Sequence, residues 1–219
     1  MNKVAIGLSC SLVCVLASAA HADFFIPDGV NVPWVRGTTA NSAYAQWESF
    51  TSVGGPNAAD VGLSAVGALP NLSAFNVSAS GTGASVLGSG NIYSGGAAMG
   101  VTVTVPSFVV DPSGTTSILL QTRTQGTEIN PATMLINGVA PTLVTELARV
   151  SLGPQGAMVD TAWRWDLSGS ASTFTITFAG AAPTFLSLDR VSVDVFAVPA
   201  PGAAAVAGLG LLAAARRRR

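Results

Sequence analysis

The chain has 219 residues, of which 49% are hydrophobic and only 10% charged, with a formal net charge of −1 and a single histidine. Charge this sparse, with no basic excess, disfavours a nucleic-acid partner, because duplex binding is dominated by cationic contacts to phosphate. Ser, Thr, Asn and Gly must therefore supply most of the polar surface.

The first residues read as an export leader. Met1-Asn2-Lys3 gives a positive start, Val4 to Leu16 is an apolar run, and Ala20-His21-Ala22 fits the small-x-small pattern that signal peptidase cuts. Residues 1–22 are thus predicted to be a signal helix, with cleavage between Ala22 and Asp23. Cys10 and Cys14 lie inside the apolar run, preceded by Ser9 and Val13, a poor match to a lipoprotein site, so both are expected to leave with the leader. Lys3 and His21 leave with them. The remaining body, residues 23–198, has no Cys, His or Lys and carries eleven acids against five arginines, a balance of −6. Zinc sites and Ser-His-Asp or Cys-His catalysis need residues that this body lacks. The chain also has no G-x-S-x-G elbow, Walker loop or dinucleotide fingerprint. The expectation is a non-enzymatic protein without cofactor or metal.

Asp23 to Gly37 holds Pro27, Pro33 and an Asp28-Gly29 turn, and reads as an irregular arm lying along the domain. Thr38 to Ser52, with Tyr44, Trp47 and Phe50, suits a first strand. Ser52 to Leu72 reads as a long surface connection, whose length makes it the loop best placed to carry function. Short strands punctuated by Gly, Pro and Asn follow. Val101, Val103 and Val105 alternate with Thr102 and Thr104; Phe174, Ile176 and Phe178 alternate with threonines; Val191, Val193 and Val195 oppose Arg190, Ser192 and Asp194. Asp111-Pro112-Ser113-Gly114 fits a type I turn, and Asn137-Gly138 between apolar runs is the strongest hairpin signal. Further strands are expected over Thr115 to Thr124, Thr142 to Leu152 and Met158 to Leu167. No segment before Gly202 keeps a helical period. The fold class is therefore all-β, an antiparallel β-sandwich of jelly-roll type over residues 23–198.

Ala162-Trp163-Arg164-Trp165-Asp166 places two tryptophans on one strand face. Exposed, they would form a sugar-stacking platform, but their apolar neighbours in phase, Val159 and Leu167, favour placing them in the core. Trp34, in the arm, is a third candidate for glycan contact and the best placed for exposure. A carboxylate-only hydrolase needs two acids about 5 to 9.5 Å apart. Asp160 and Asp166 lie roughly 20 Å apart along one strand at ~3.3 Å per residue, so they do not form such a pair. No contiguous Asp/Asn-rich loop supports calcium.

The tail sets the address. Val198 precedes Pro199-Ala200-Pro201, a fourteen-residue uncharged stretch from Gly202 to Ala215, and Arg216-Arg217-Arg218-Arg219. As a helix that stretch spans about 21 Å, short of a ~30 Å hydrocarbon core, and the arginines would hold the end in the cytoplasm. Small residues and prolines, a short apolar helix and an arginine cluster, over the last 22 or so residues, resemble the PEP-CTERM sorting signal of exported Gram-negative proteins, with Ala200 standing where the family carries Glu. The resemblance implies processing by exosortase near residues 199–201, a transient inner-membrane anchor through the helix, and release to the cell surface or the polysaccharide-rich biofilm matrix. A plain membrane anchor, or an apolar helix packed on the domain, is the other reading of the same residues. The function expected is an exported structural or adhesive protein; the alternative is a carbohydrate-binding module that engages exopolysaccharide through exposed aromatics.

Overall fold

Side chains two residues apart on a strand share a face, so the alternating stretches fix which side of each strand can be buried. The computed structural model describes residues 32–54, 56–65, 68–76, 84–95, 98–108, 113–169, 171, 173–181 and 185–198. The signal segment, the motif at 199–201, the apolar stretch and the terminal arginines lie outside them. The described residues form twelve strands and two short 3-10 turns. In chain order the strands are β1 (Ser42–Trp47), β2 (Val61–Ser64), β3 (Asn71–Asn76), β4 (Ser85–Val86), β5 (Ile92–Ser94), β6 (Met99–Pro106), β7 (Thr115–Gly126), β8 (Leu135–Ile136), β9 (Leu143–Ser151), β10 (Ala157–Ser168), β11 (Thr173–Ala179) and β12 (Leu186–Val198).

The protein is all-β, and its pairings are antiparallel. The larger sheet runs β2-β1-β12-β7-β10-β9, with β5 joined to the start of β12 and β4 to β5; the smaller runs β3-β6-β11-β8. One hydrophobic cluster is shared by both sheets. Val101, Val103, Val105, Phe174, Ile176 and Phe178 enter it from the smaller sheet, and Ile118, Leu120, Val191, Val193 and Val195 from the larger. The arrangement is consistent with a β-sandwich, two sheets burying one face each.

The Asn-Gly signal is a tight turn. Asn137 and Gly138 both take positive φ, 48° and 83°, as a type I′ turn requires. Ile136 and Val139 exchange two backbone hydrogen bonds of 2.8 Å across it. Asn137 also docks the turn onto β11, donating from its amide to Thr175 O at 3.0 Å and accepting at Oδ1 from Thr175 N at 2.9 Å.

The described part of the stretch from Ser52 to Leu72 is largely exposed, as a surface connection should be, but it is more ordered than an irregular loop. It contains β2, which pairs with β1, and it is tied down at both ends of its first half. Buried Asn57 accepts from the amides of Thr51 and Ser52 at 3.0 and 3.1 Å and donates to Ser52 O, while Asp60 accepts from Glu48 N and Ser49 N at 2.6 and 2.8 Å. Polar side chains that satisfy backbone donors let an irregular segment pack without stranded N–H groups.

Candidate functional site

The three tryptophans considered for glycan contact are all buried, which agrees with the core placement expected of Trp163 and Trp165 from their in-phase apolar neighbours and corrects the exposure expected of Trp34. Trp163 is 3% exposed and Trp165 fully enclosed. Both face the shared core because their strand neighbours in register, Leu120 and Ile118, face it too. Their indole N–H groups are satisfied internally, Trp163 donating to Thr122 Oγ1 at 3.2 Å and Trp165 to Val139 O at 3.1 Å. Trp34 is 5% exposed. It stacks on Phe196 with ring centroids 5.4 Å apart and packs with Leu119 and Ala162 on the side of the larger sheet away from the shared core. An arm aromatic thus pins the arm to the sheet.

Beneath that arm the alternation of β12 has an unexpected environment. Ser192 and Asp194, which point away from the core as anticipated, are completely buried. Arg36 of the arm places Nε 3.0 Å from Asp194 Oδ1, close but off the line of a well-directed hydrogen bond. Burial pushes the Asp194 carboxyl up to about 6, against the opposing pull of Arg36 and, after it, the Trp34 indole N–H. The guanidinium of Arg36 also lies 4.3 Å from the centroid of the Tyr44 ring and donates to Tyr44 Oη at 3.2 Å. Tyr44 donates to Gln46, Gln46 to Glu48, and Glu48 meets Arg190 at 3.3 Å. Farther along the same face, Arg123 grips Asp160 through two bonds of 2.7 and 2.6 Å. Those bonds raise the Arg123 guanidinium beyond its already high range.

The same face opens into a groove of about 680 Å³ where β5, β12 and β7 run side by side. Register places Tyr93, Ser187 and Gln125 in one row across these strands, at roughly 4.8 Å per strand. One wall is the turn between β4 and β5, with Leu87, Ser89 and Asn91; the other is the 3-10 turn Gly153–Gln155, with Leu152 before it and Gly156 after. Asn91 Nδ2 donates to Ser187 Oγ at 3.2 Å, fixing the first wall to the floor. Phe185 stands at the rim with 58% of its surface exposed. Its φ of 66° is left-handed, a conformation that is strained for an aromatic residue and tends to cluster at ligand sites. The strain follows from a close approach. Gly126 comes so near that a Cβ there would lie 2.2 Å from Phe185 O, and Thr127 N donates to that carbonyl at 3.0 Å. Among the described residues, the groove is lined by amides, hydroxyls and apolar groups, with no charged side chain.

Sequence reasoning missed these residues. Leu152-Gly153-Pro154-Gln155-Gly156 and Leu87 to Asn91 are legible as turns, yet only the register of β5, β12, β7 and β10 brings them to one place.

A second, smaller cleft of about 160 Å³ has Glu128 and Glu146 at its wall. It brings two carboxylates from separate segments together, as a hydrolase would need, but both are held by Arg149, at 2.7 and 3.1 Å for Glu128 and 2.9 and 2.7 Å for Glu146. Hydrogen bonds from Arg149 hold the Glu146 carboxyl below its usual range, the opposite of what a general acid requires. The cleft is also below the ~300 Å³ at which ligand pockets begin. Among the described residues there is no group of three or more His, Cys, Asp or Glu that could hold a metal. Nor is any helix among them long and apolar enough to cross a membrane. Compared with known proteins, the chain matches no family model, no curated protein and no solved structure.

Proposed function

We propose that the chain is an exported β-sandwich protein, sorted by exosortase, with a structural or adhesive role at the cell surface or in the extracellular matrix. The observation that carries this reading is the pairing of two terminal signals on one sequence: the leader ending at Ala22, and the run of Pro199-Ala200-Pro201, an uncharged fourteen-residue stretch and four arginines. Neither alone is specific; together they describe a chain that starts across a membrane and is held at its end until processed.

The finer architecture proposed is a jelly roll. It is supported by the order β1-β12-β7-β10 in one sheet against β6-β11-β8 in the other, so that successive strands from β6 to β8 and from β10 to β12 change sheets, as in two interleaved Greek keys. A non-catalytic role is supported by the engagement of carboxylates in ion pairs: Asp160 with Arg123, Glu128 and Glu146 with Arg149, Asp166 with Arg164, Glu48 with Arg190 and Asp194 with Arg36. The processing partners would be signal peptidase and exosortase. The test is the intact mass of the native product in membrane and extracellular fractions. The expected product begins at Asp23, ends near Val198 and lies outside the cell; a membrane-bound product that retains Arg216 to Arg219 would overturn sorting and leave an anchored surface domain.

A second reading, carbohydrate binding, is favoured by the groove. Its aromatic contacts then come from Tyr93 and Phe185 rather than from Trp34, Trp163 and Trp165.

A further inference from the structure

We infer that the groove across β5, β12 and β7 binds a neutral oligosaccharide chain, with Phe185 as its stacking surface and Gln125, Gln155 and Asn91 as its hydrogen-bonding groups. The inference deepens the carbohydrate-binding reading and is independent of how the chain is exported. Several observations converge on it. A volume of about 680 Å³ lies within the ~300–1,000 Å³ of small-ligand pockets. A sugar ring presents apolar C–H faces and a rim of hydroxyls that both donate and accept. Amide side chains answer both roles, with a carbonyl acceptor and two N–H donors each, and Gln125, Gln155 and Asn91 line three sides. An exposed aromatic at the rim provides the apolar partner for a C–H face, and Phe185 is held there by backbone rather than by its own packing, since Gly126 and Thr127 clamp its carbonyl. Tyr93, partly buried on the opposite side, supplies a second ring with a hydroxyl.

The same lining excludes the obvious competitors. A nucleotide or phosphorylated ligand would want cations, and none lines the groove among the described residues. A uronate polymer would bring carboxylates that find no cationic partner among the described residues lining the groove.

The experiment is calorimetric titration of the full chain, purified in a detergent without a sugar headgroup. The probes are neutral hexasaccharides of β-1,4-glucose, β-1,3-glucose, α-1,4-glucose and β-1,4-N-acetylglucosamine, with hexagalacturonate as the charged counterpart. We expect at least one neutral probe to bind, hexagalacturonate not to bind, and Phe185→Ala to weaken binding at least tenfold. Gln125→Ala should weaken it severalfold. Phe185 is mostly exposed, so its alanine variant should keep the wild-type melting profile, and Phe185→Gly, which relieves the left-handed backbone, provides a second folded variant without the ring. If a neutral probe binds but none of the three variants weakens it, the groove is not the site, although the carbohydrate reading stands. Preferential binding of hexagalacturonate would overturn the neutral class. No binding of any probe at millimolar concentration would sink both the groove and the carbohydrate reading, leaving the export proposal untouched.

Discussion

The two sheets turn their outward faces to very different surroundings, although the sequence writes both in the same alternating pattern. On the smaller sheet Thr104 and Thr173 are exposed and Thr102, Thr175 and Thr177 half-buried, as the polar side of a sandwich strand should be. On the larger sheet the equivalent positions Gln46, Gln121, Ser192 and Asp194 are fully buried. The difference comes from a segment remote in sequence. The arm lays Trp34 and Arg36 over the larger sheet, whereas the threonine face stays partly open. Alternation therefore states which side of a strand is apolar, while coverage of the other side depends on where an irregular segment happens to dock.

The largest effect that could break this comparison is removal of the arm's anchor. Trp34→Ala should cost about 3–4 kcal/mol in urea unfolding, within the usual span for deleting a buried aromatic. It should also speed amide hydrogen exchange at Arg36 and Thr39 without affecting β6 and β11. A loss below about 1 kcal/mol would mean that the arm contributes little and that the polar face is buried by its own long side chains.

Next in size is a pH effect centred on Asp194. Its carboxyl is raised from 3.8 to about 6 in the folded protein. Between those values the folded state holds a proton that the unfolded chain has released, so the contribution is fully present below pH ~4 and is lost as pH rises through about 6. At 1.36 kcal/mol per pH unit the loss is on the order of 3 kcal/mol. Unfolding measured at pH 4.5, 5.5 and 7.5 should show wild-type stability falling relative to Asp194→Asn, which mimics the protonated form and has no such titration. Arg36→Gln should extend the fall to higher pH, because Arg36 is the principal group that pulls the Asp194 carboxyl down. If wild type and Asp194→Asn change in parallel across this range, the carboxyl is hydrated and the arm does not seal it.

Much of this molecule is legible in its residues, and the parts that are not share a cause. The strand faces of β6, β11 and β12, the Asn137-Gly138 turn and the burial of Trp163 and Trp165 in phase with apolar neighbours all follow from local periodicity and turn chemistry. Three things do not. β2 carries only Val61 and Leu63 in a Gly- and Ala-rich setting, with Leu63 47% exposed, because it forms through pairing with β1 rather than through its own pattern. The burial of Trp34 depends on Phe196, some 160 positions away. The groove depends on Tyr93, Gln125 and Ser187 meeting through register, and its residues taken singly are ordinary turn and strand polar groups. Each is a long-range property, and no window of neighbouring residues contains it.

The smallest expected effect tests the open side of the comparison. Thr104 and Thr175 are register partners on β6 and β11, and cross-strand threonine pairs contribute only about 0.2–1 kcal/mol. Replacing both by valine keeps the β-branched shape and strand propensity and removes two hydroxyls from a face that water reaches. The double variant should therefore stay within about 0.5 kcal/mol of wild type, with the difference constant from pH 4.5 to 7.5. The sensitive outcome is its sign and size. Destabilisation beyond about 2 kcal/mol would show that these hydroxyls hold buried partners, and that the threonine face is covered as the Asp194 face is. A small change, set beside the pH-dependent loss at Asp194, would locate the asymmetry in the arm, since strand alternation and antiparallel pairing are alike on the two sheets.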